Sequence, residues 1–337
     1  IAQKGVEVNN LFIDVRAHLI MPYHRALDGA QEGSKTQKMQ IGTTKRGIGP
    51  CYSDKATRSG IRAADLLDFD RLRNRIEMAL PQKNRELAYF GLAEYTVDEL
   101  MDLCAKWKER FGHMLIDTLP VVRQAYEENK SILLEGQLGV MRDLDWGIYP
   151  YTTSSSPTSG GAAVGSGLGP RRIDHVIGVT KVYSTSVGGG PFMTELLDET
   201  AEKLRAIGGE YGATTGRPRR CGWFDAVAAD YSCWINGFTG LALTKLDVLD
   251  TFEKIKVCTA YRVNGEVITY LPETALQEIA EPIYEEFDGW MTPTTEARKW
   301  EDLPPKAQAY CKRLGELVGC PIRYISVGPE RDQIIIL

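Results

Sequence analysis

Short apolar runs and amphipathic stretches alternate along most of this 337-residue chain, and that alternation limits the folds open to it. Apolar runs that end in glycine-rich or polar loops predict strands, whereas apolar positions that recur every three or four residues predict helices. We therefore predict an α/β protein. Because no low-complexity linker or internal repeat divides the chain, we expect a single domain over residues 1–337 with an elaborated sheet.

The individual elements are predicted from the same patterns. The predicted strands are 131–134, 173–183, 240–245 and 323–326, and the clearest helices are 65–80, 96–111 and 120–129. The stretches 282–290 and 304–318 continue this mixture, and Pro304 and Pro305 are suited to the start of a helix.

Charge and hydropathy exclude some classes of protein. The net charge of −5 at pH 7 argues against a broad basic face for nucleic acid, although local basic pockets for small anions stay open. No stretch has the uninterrupted apolar length of a membrane span, and residues 1–10 contain no signal-peptide core. We expect a cytoplasmic protein without nucleic-acid or membrane partners.

Cysteine and histidine spacing does not indicate a metal site. The seven cysteines contain no CxxC pair and suit reduced, structural thiols. The four histidines, at positions 18, 24, 113 and 175, have no spacing such as HExxH, so we interpret them as structural and expect no metal ligand in this chain.

Both ends of the sequence look internal to a longer chain. It begins with Ile1 rather than methionine, and it stops in the apolar run 333–337, which resembles the middle of a strand. We therefore expect a chain truncated at the N-terminus and by a few residues at the C-terminus.

The first segment with chemical potential is IGTTKRGIGP, residues 41–50, which continues through Tyr52, Lys55 and Arg58. Glycines let a backbone approach a phosphate, while hydroxyls, amides and cationic side chains donate hydrogen bonds to it. The GK[ST] ending of a Walker A loop is absent. A solvated basic turn is the alternative.

Two further segments are rich in small and polar residues. Residues 133–139, LLEGQLG, predict a buried strand that ends in a glycine turn, and YPYTTSS at 149–155 offers hydroxyls to a polar ligand or forms a serine-rich surface turn. The glycines of GGAAVGSGLGP, 160–170, do not fit GxGxxG, so they favour close packing over a dinucleotide site.

Positive charge is most concentrated in GATTGRPRR, residues 212–220. Guanidinium groups match carboxylates and phosphates through paired hydrogen bonds, and the Thr-Thr-Gly run adds donors that a solubilising cluster does not need. We interpret the segment as a ligand site for anions.

The tetrapeptide TKLD, residues 244–247, directly follows a predicted strand. A carboxylate there can accept hydrogen bonds from N1–H and the 2-amino group of guanine, whereas the N1 acceptor of adenine repels it. The pattern favours GTP over ATP, although four residues also match by chance.

Taken in order, these segments resemble the adenylosuccinate synthetases over essentially the whole chain. The resemblance is carried by RAHLIMPYH, IGTTKRGIGPCYSDK, YPYTTSS, GSGLGP, VGGGPFMTEL, GATTGRPRRCGWFD, TKLD and SVGPER. It implies a P-loop-NTPase-like fold with a large, mostly parallel central sheet and flanking helices. It also implies GTP-dependent ligation of L-aspartate to IMP through 6-phosphoryl-IMP, with Mg²⁺, in a homodimer.

The resemblance also implies roles for single residues. Lys55 fills the signature lysine position, and Arg58 matches the arginine presented to the neighbouring subunit's IMP. The implied IMP residues are Thr44, Arg58, Gln137, Leu138, Thr153 and Arg217; the aspartate loop is Ala213, Thr214, Thr215, Gly216, Arg217, Pro218 and Arg219; the GTP residues are Arg219, Lys245, Leu246, Asp247, Ser326, Val327 and Gly328.

Two departures from the family pattern affect these expectations. Many members have EGAQG where this chain has Glu135-Gly136-Gln137-Leu138-Gly139, which displaces the IMP-contacting glutamine by one position. The family's GDEGKG loop with its catalytic aspartate, and the following catalytic histidine, would precede Ile1, so no catalytic residue is expected in this chain and residues 1–337 are expected to be inactive alone. The alternatives are a non-catalytic nucleotide-binding or dimerisation fragment, and a synthetase for another 6-oxopurine nucleotide such as dGMP.

Overall fold

The computed structural model describes residues 4–5, 8–36, 40–212 and 216–337. They cluster into two compact units. Unit 1 draws on Ile1–Glu135, Thr153–Ser155 and Ala162–Leu168, and unit 2 on Gly136–Thr152, Ser156–Gly161 and Gly169–Leu337. The expectation of a single domain stays a prediction.

Unit 1 is mainly helical. Its core forms where α1, α3 and α4 pack through fully buried side chains such as Leu27, Ile76 and Leu100. Its elements are β1 (Ile13–Asp14), α1 (Pro22–Ser34), α2 (Ile48–Thr57), α3 (Phe69–Tyr89), α4 (Val97–Phe111), β2 (Leu115–Ile116), which pairs in parallel with β1, and α5 (Thr118–Glu127). Residues of α6 (Ser159–Ser166) belong to each unit.

The helix starts in unit 1 follow from capping. Asp68 accepts the amide of Arg71 and so begins α3 four residues later than the predicted start at 65. Thr96 and Glu99 form a reciprocal capping box, which places the start of α4 as expected. The predicted helix 120–129 is present as α5.

Unit 2 combines sheets and helices. The strands are β3 (Ile177–Lys181), β4 (Ser184–Ser186), β5 (Arg220–Gly222), β6 (Phe224–Asp225), β7 (Gly240–Thr244), β8 (Lys254–Val263), β9 (Glu266–Ile268), β10 (Glu281–Asp288), β11 (Ile322–Ser326) and β12 (Ile334–Ile336). The helices are α7 (Glu199–Gly208), α8 (Ala226–Asn236), α9 (Thr274–Gln277) and α10 (Pro305–Val318).

Four of these strands form a sheet in the order β12-β11-β7-β3, in which β3, β7 and β11 are parallel and β12 is antiparallel. The strands β10, β8 and β6 form a second sheet with β9 at its side, and β4 pairs with β5. The α/β class is confirmed, as are the strands predicted at 240–245 and 323–326 and the helix predicted at 304–318. The predicted strand 173–183 is shorter, as β3, and 282–290 lies mostly in β10.

The strand predicted at 131–134 is wrong. Residues 131–137 have no regular secondary structure, and Leu133 is 90% exposed. Within the described residues, the backbone of this segment makes no hydrogen bond to another backbone group. An apolar run without a hydrogen-bonded neighbour does not form a strand.

All seven cysteines lie in the described part of the chain and are free thiols, and all but Cys233 are buried. Burial raises the pKa of Cys104 to about 11 and that of Cys311 to about 12. No helix of the described ranges is both long and apolar enough to cross a membrane.

Candidate functional site

The loop of residues 41–47 in unit 1 is held by two carboxylates of α1. Glu32 Oε1 accepts the amides of Gly42, at 2.6 Å, and of Thr43, at 3.3 Å. Asp28 accepts the Thr43 hydroxyl at 3.0 Å through Oδ1 and the Gly47 amide at 2.8 Å through Oδ2. The helix therefore fixes the loop at both ends.

These contacts change the interpretation of the glycines. The amides of Gly42 and Gly47 belong to the segment predicted to bind an anion, but they already donate to carboxylates of α1. Gly47 has φ +82°, and a Cβ there would lie 2.9 Å from backbone atoms of His24 and Arg25. Position 47 therefore requires glycine for the loop to pack on α1. The side chain of Thr44 is exposed between the two fixed points.

The pKa of Glu32 reflects this role. Burial alone would raise this pKa. The hydrogen bonds from the Gly42 and Thr43 amides lower it by more than burial raises it, so the pKa of Glu32 lies below its usual value. Glu32 therefore stays ionised, as an acceptor of two amides must.

The helix α2 presents Lys55 and Arg58 at the surface of unit 1. Both side chains are exposed, and the Lys55 ammonium lies 5.3 Å from the centre of the Tyr52 ring. Arg58 ends the helix in the left-handed conformation, with φ +65°. Thr153, partly exposed, also belongs to unit 1.

Beneath α2 lies a buried ionic network. Asp54 Oδ2 is 2.9 Å from Nε2 of His24, and Oδ1 is 2.6 Å from Nζ of Lys83. Nδ1 of His24 accepts the amide of Met21, so the ring joins α1 to α2. The structural interpretation of His24 agrees with these contacts.

The loop with Gln137 and Leu138 belongs to unit 2, and both side chains are exposed. Leu138 has φ +85°, an unfavourable conformation for a branched residue. Close by in sequence, Arg142 donates to the carbonyls of Tyr151 and Val187 and to the Ser186 hydroxyl. Arg142 thus ties the 149–152 turn to the loop after β4, a role that the sequence did not reveal.

The aspartate loop predicted at 213–219 is described only in part, because Ala213, Thr214 and Thr215 lie outside the described residues. The amide of Gly212 donates to the carbonyl of Arg217, at 2.8 Å, and Tyr211 pairs with Pro218. These bonds close the neck of the loop. Gly216, Arg217 and Pro218 are exposed.

At the base of this loop lies a charged cluster made of Lys181, Tyr183, Glu210, Arg219 and Lys245, called here the Glu210 cluster. Oε2 of Glu210 is 2.8 Å from Nζ of Lys181 and 2.6 Å from Nη1 of Arg219. Oε1 accepts the Tyr183 hydroxyl and lies 3.5 Å from Nζ of Lys245. Burial raises the pKa of Glu210, but these partners outweigh it and lower the pKa to about 2.

The predicted guanine segment follows β7. Lys245 has φ +62°, and its ammonium also donates to the carbonyl of Gly208 at the end of α7. Leu246 is fully buried in the core, so only its backbone can face a ligand. Asp247 is partly exposed, and burial raises its pKa above the usual range.

The segment 326–328 follows the parallel neighbour of β7, strand β11. Ser326 donates its hydroxyl to the carbonyl of Gly328 at 2.9 Å, and Val327 is fully buried. A Cβ at Gly328 would overlap the Gln333 side chain. The ends of parallel strands are common ligand positions, and the predicted GTP residues of β7 and β11 both lie there.

Comparison with known proteins identifies the family. The family model described as Adenylosuccinate synthetase matches residues 1–335. The adenylosuccinate synthetase of Fusobacterium nucleatum subsp. nucleatum is 47% identical over 337 residues, and that of Carboxydothermus hydrogenoformans is 50% identical over 338; each alignment covers 99% of this chain and 79% of the relative.

Solved structures agree with this result. A fully ligated adenylosuccinate synthetase from Plasmodium falciparum superposes with a TM-score of 0.92 at 37% identity, covering 98% of this chain and 78% of that one. The succinoaminodeoxyadenylate synthetase of cyanophage S-2L shares the fold alone, with a TM-score of 0.53 at 14% identity over 98% of this chain and 69% of that one. The chain belongs to the adenylosuccinate synthetase family, ligases of purine nucleotide biosynthesis.

Proposed function

We propose that this chain performs the GTP-dependent ligation of L-aspartate to IMP, which yields adenylosuccinate, GDP and phosphate through 6-phosphoryl-IMP. The observation that carries the proposal is the Glu210 cluster. It joins Arg219, the last residue of the expected aspartate loop, to Lys245, the first residue of the expected guanine segment. Segments expected to bind two different substrates thus share one carboxylate in unit 2.

The proposed roles follow the segments. Thr44, Thr153 and Arg58 contact IMP, Arg58 from the neighbouring subunit of a homodimer. Exposure and a helix-terminal position suit Arg58 to that reach. Arg217 contacts IMP and, with Ala213–Pro218 and Arg219, the carboxylates of aspartate. Gln137 and Leu138, at the position where the glutamine of the family pattern is displaced, are both exposed and are proposed to contact IMP as well.

GTP is the proposed phosphoryl donor. Asp247 would accept the N1–H and 2-amino protons of guanine, and the backbone of Leu246 and residues Ser326, Val327 and Gly328 would line the base. Arg219 and Lys245 would bring positive charge to the GTP residues, where it offsets the negative charge of the triphosphate. Phosphorylating the 6-oxygen of IMP creates a leaving group that the aspartate amine can displace.

Mg²⁺ is proposed to accompany GTP, where it neutralises charge on the phosphates. Among the described residues, no group of three or more histidine, cysteine, aspartate or glutamate side chains is placed to hold a metal ion. We therefore assign no ligand to it in this chain. A cytoplasmic location stays a prediction.

The test is formation of adenylosuccinate, followed by absorbance, from IMP, aspartate, GTP and Mg²⁺, with each reactant omitted in turn. It is run on residues 1–337 and on the longest reading frame that contains them, because the expectation that residues 1–337 are inactive alone is itself a prediction. GDP binding by calorimetry adds a readout independent of turnover. No product from either protein, together with no GDP binding, would overturn the proposal.

Competition between IMP and dGMP in the same assay separates the alternatives. A preference for dGMP would show that the substrate is a 6-oxopurine nucleotide other than IMP. GDP binding without product from the longer protein would support a non-catalytic nucleotide-binding module.

A further inference from the structure

Glu210 has an unusual environment for a carboxylate that no motif contains. Its side chain is fully buried, whereas those of its partners Arg219 and Lys245 remain 29% and 36% exposed. The ligand-facing groups therefore reach solvent and the carboxylate between them does not. Such a residue acts on a ligand only through its neighbours.

The charge count of the Glu210 cluster is unbalanced. One carboxylate faces the cations of Lys181, Arg219 and Lys245, which leaves a net charge of about +2. Without Glu210 the three cations would repel one another in a partly buried region. With it they are held within hydrogen-bonding or ion-pair range of one group, and the surplus charge is left for an anionic ligand.

The backbone reinforces the same pairing. The carbonyl of Glu210 accepts the amide of Arg219 at 2.9 Å, and Nε of Arg205 donates to the carbonyl of Arg219 at 2.9 Å. Arg219 is thus fixed through its backbone and its guanidinium. Lys245 is fixed by the carbonyl of Gly208, two residues before Glu210.

We propose that Glu210 is the positioning residue that couples aspartate recognition to GTP recognition, by holding Arg219 and Lys245 in one arrangement before either substrate arrives. This inference rests on the function proposed above. Preorganised charge binds an anion without the cost of gathering the cations first. Loss of Glu210 should therefore weaken both substrates together, although it touches neither.

The first experiment compares Glu210→Gln with wild type. The amide keeps the shape and removes the charge. We expect the Kd for GDP and the KM for aspartate each to rise about tenfold or more, with a smaller change in kcat. Glu210→Asp, which keeps the charge on a shorter side chain, should recover part of both losses and serves as the second variant if Glu210→Gln does not fold.

A matched control is Asp225→Asn. Asp225 is also a buried carboxylate of unit 2 that accepts a tyrosine hydroxyl, from Tyr261 at 2.8 Å. It contacts neither Arg219 nor Lys245 through any of its hydrogen bonds. Asp225→Asn should leave the Kd for GDP and the KM for aspartate within about twofold of wild type.

A double-mutant cycle tests whether Glu210 acts through Arg219. Arg219→Ala alone should weaken GDP, and adding Glu210→Gln should weaken it by much less than tenfold more. Full additivity, or a Glu210→Gln variant that binds GDP and aspartate like wild type, overturns the inference while the proposed function stands. A wild-type protein that binds no GDP and forms no adenylosuccinate overturns the proposed function, and this inference with it.

Discussion

The amide of Gly47 donates a hydrogen bond of 2.8 Å to Oδ2 of Asp28, across 19 positions of sequence. The other oxygen of Asp28 accepts the Thr43 hydroxyl. One carboxylate of α1 thus sets the shape of the loop that carries Thr44.

Replacing Asp28 should therefore affect stability and the loop together. Asp28→Ala leaves two donors without acceptors, at about 1–3 kcal/mol each where they are buried, and should raise the KM for IMP by about tenfold or more. Urea unfolding and initial rates measure the two effects. The control is Asp98→Ala, whose carboxylate is 80% exposed beside Arg73 and should cost less than about 1 kcal/mol. Equal losses for the two variants would contradict the assignment.

Gly47 and Gly91 form a matched pair for testing the packing of that loop on α1. Both have positive φ, +82° and +68°, but a Cβ at Gly91 meets open space. Gly91→Ala should cost about 1–2 kcal/mol from its conformation alone. Gly47→Ala adds overlap with the backbone of α1 and should cost at least about 2 kcal/mol more. Thermal unfolding compares them, and similar melting temperatures would show that α1 can move away.

Because the pKa of Asp225 is raised, we expect its contribution to the free energy of unfolding to change with pH in the direction opposite to that of a carboxylate in an ordinary salt bridge. Burial raises its pKa to about 6, so between about pH 4 and pH 6 the folded chain holds a proton that the unfolded chain has released. The stability contributed by this group falls as pH rises through that window. Asp225→Asn does not titrate, so its free energy of unfolding relative to wild type should rise by about 3 kcal/mol from pH 4 to pH 7.

Denaturant unfolding at a series of pH values measures this difference, and a flat difference would contradict it. Tyr261→Phe offers a check on the cause. The Tyr261 hydroxyl donates to both oxygens of Asp225 and favours the ionised form. Removing this hydroxyl should raise the pKa of Asp225 further, so the loss of stability should continue to a higher pH than in wild type.

Asp247 should decide which purine nucleotide donates the phosphoryl group. Asp247→Asn replaces a carboxylate acceptor by a group that can donate, so GTP should lose about 100-fold in kcat/KM while xanthosine triphosphate, with a carbonyl in place of the 2-amino group, should gain. Asp250→Asn is the control, since that carboxylate is committed to Trp290 and Thr294. If Asp247→Asn keeps the wild-type preference for GTP over xanthosine triphosphate, Asp247 does not bind the guanine base.

Local signals predicted those elements whose stability is local. The apolar spacing of 96–111 predicted α4, and Pro304 with Pro305 indicated the start of α10. The stretch 282–290 carried a mixed pattern because β10 is partly buried along its length, and its pairing with β8 fixes it as a strand. The run 131–134 had strand composition, but composition supplies no hydrogen-bonding neighbour.

The candidate site shows the same limit. Sequence patterns found the segments with Thr44, Arg219 and Lys245, because glycine, hydroxyl and cationic residues concentrate there. They missed Glu32, Arg142 and Glu210, which are single charged residues outside any motif. Their importance arises from partners 9 to 45 positions away in sequence, and only the folded chain brings those partners together.

The buried cysteines also have a consequence for chemical damage. Only the thiolate attacks alkylating reagents and oxidants, and burial keeps thiols such as Cys104 and Cys311 both protonated and out of reach. Each therefore reacts at the rate at which its surroundings open. Labelling of these buried thiols is thus a clock for the unfolding around them, and their oxidation falls first on the molecules that have already lost their fold.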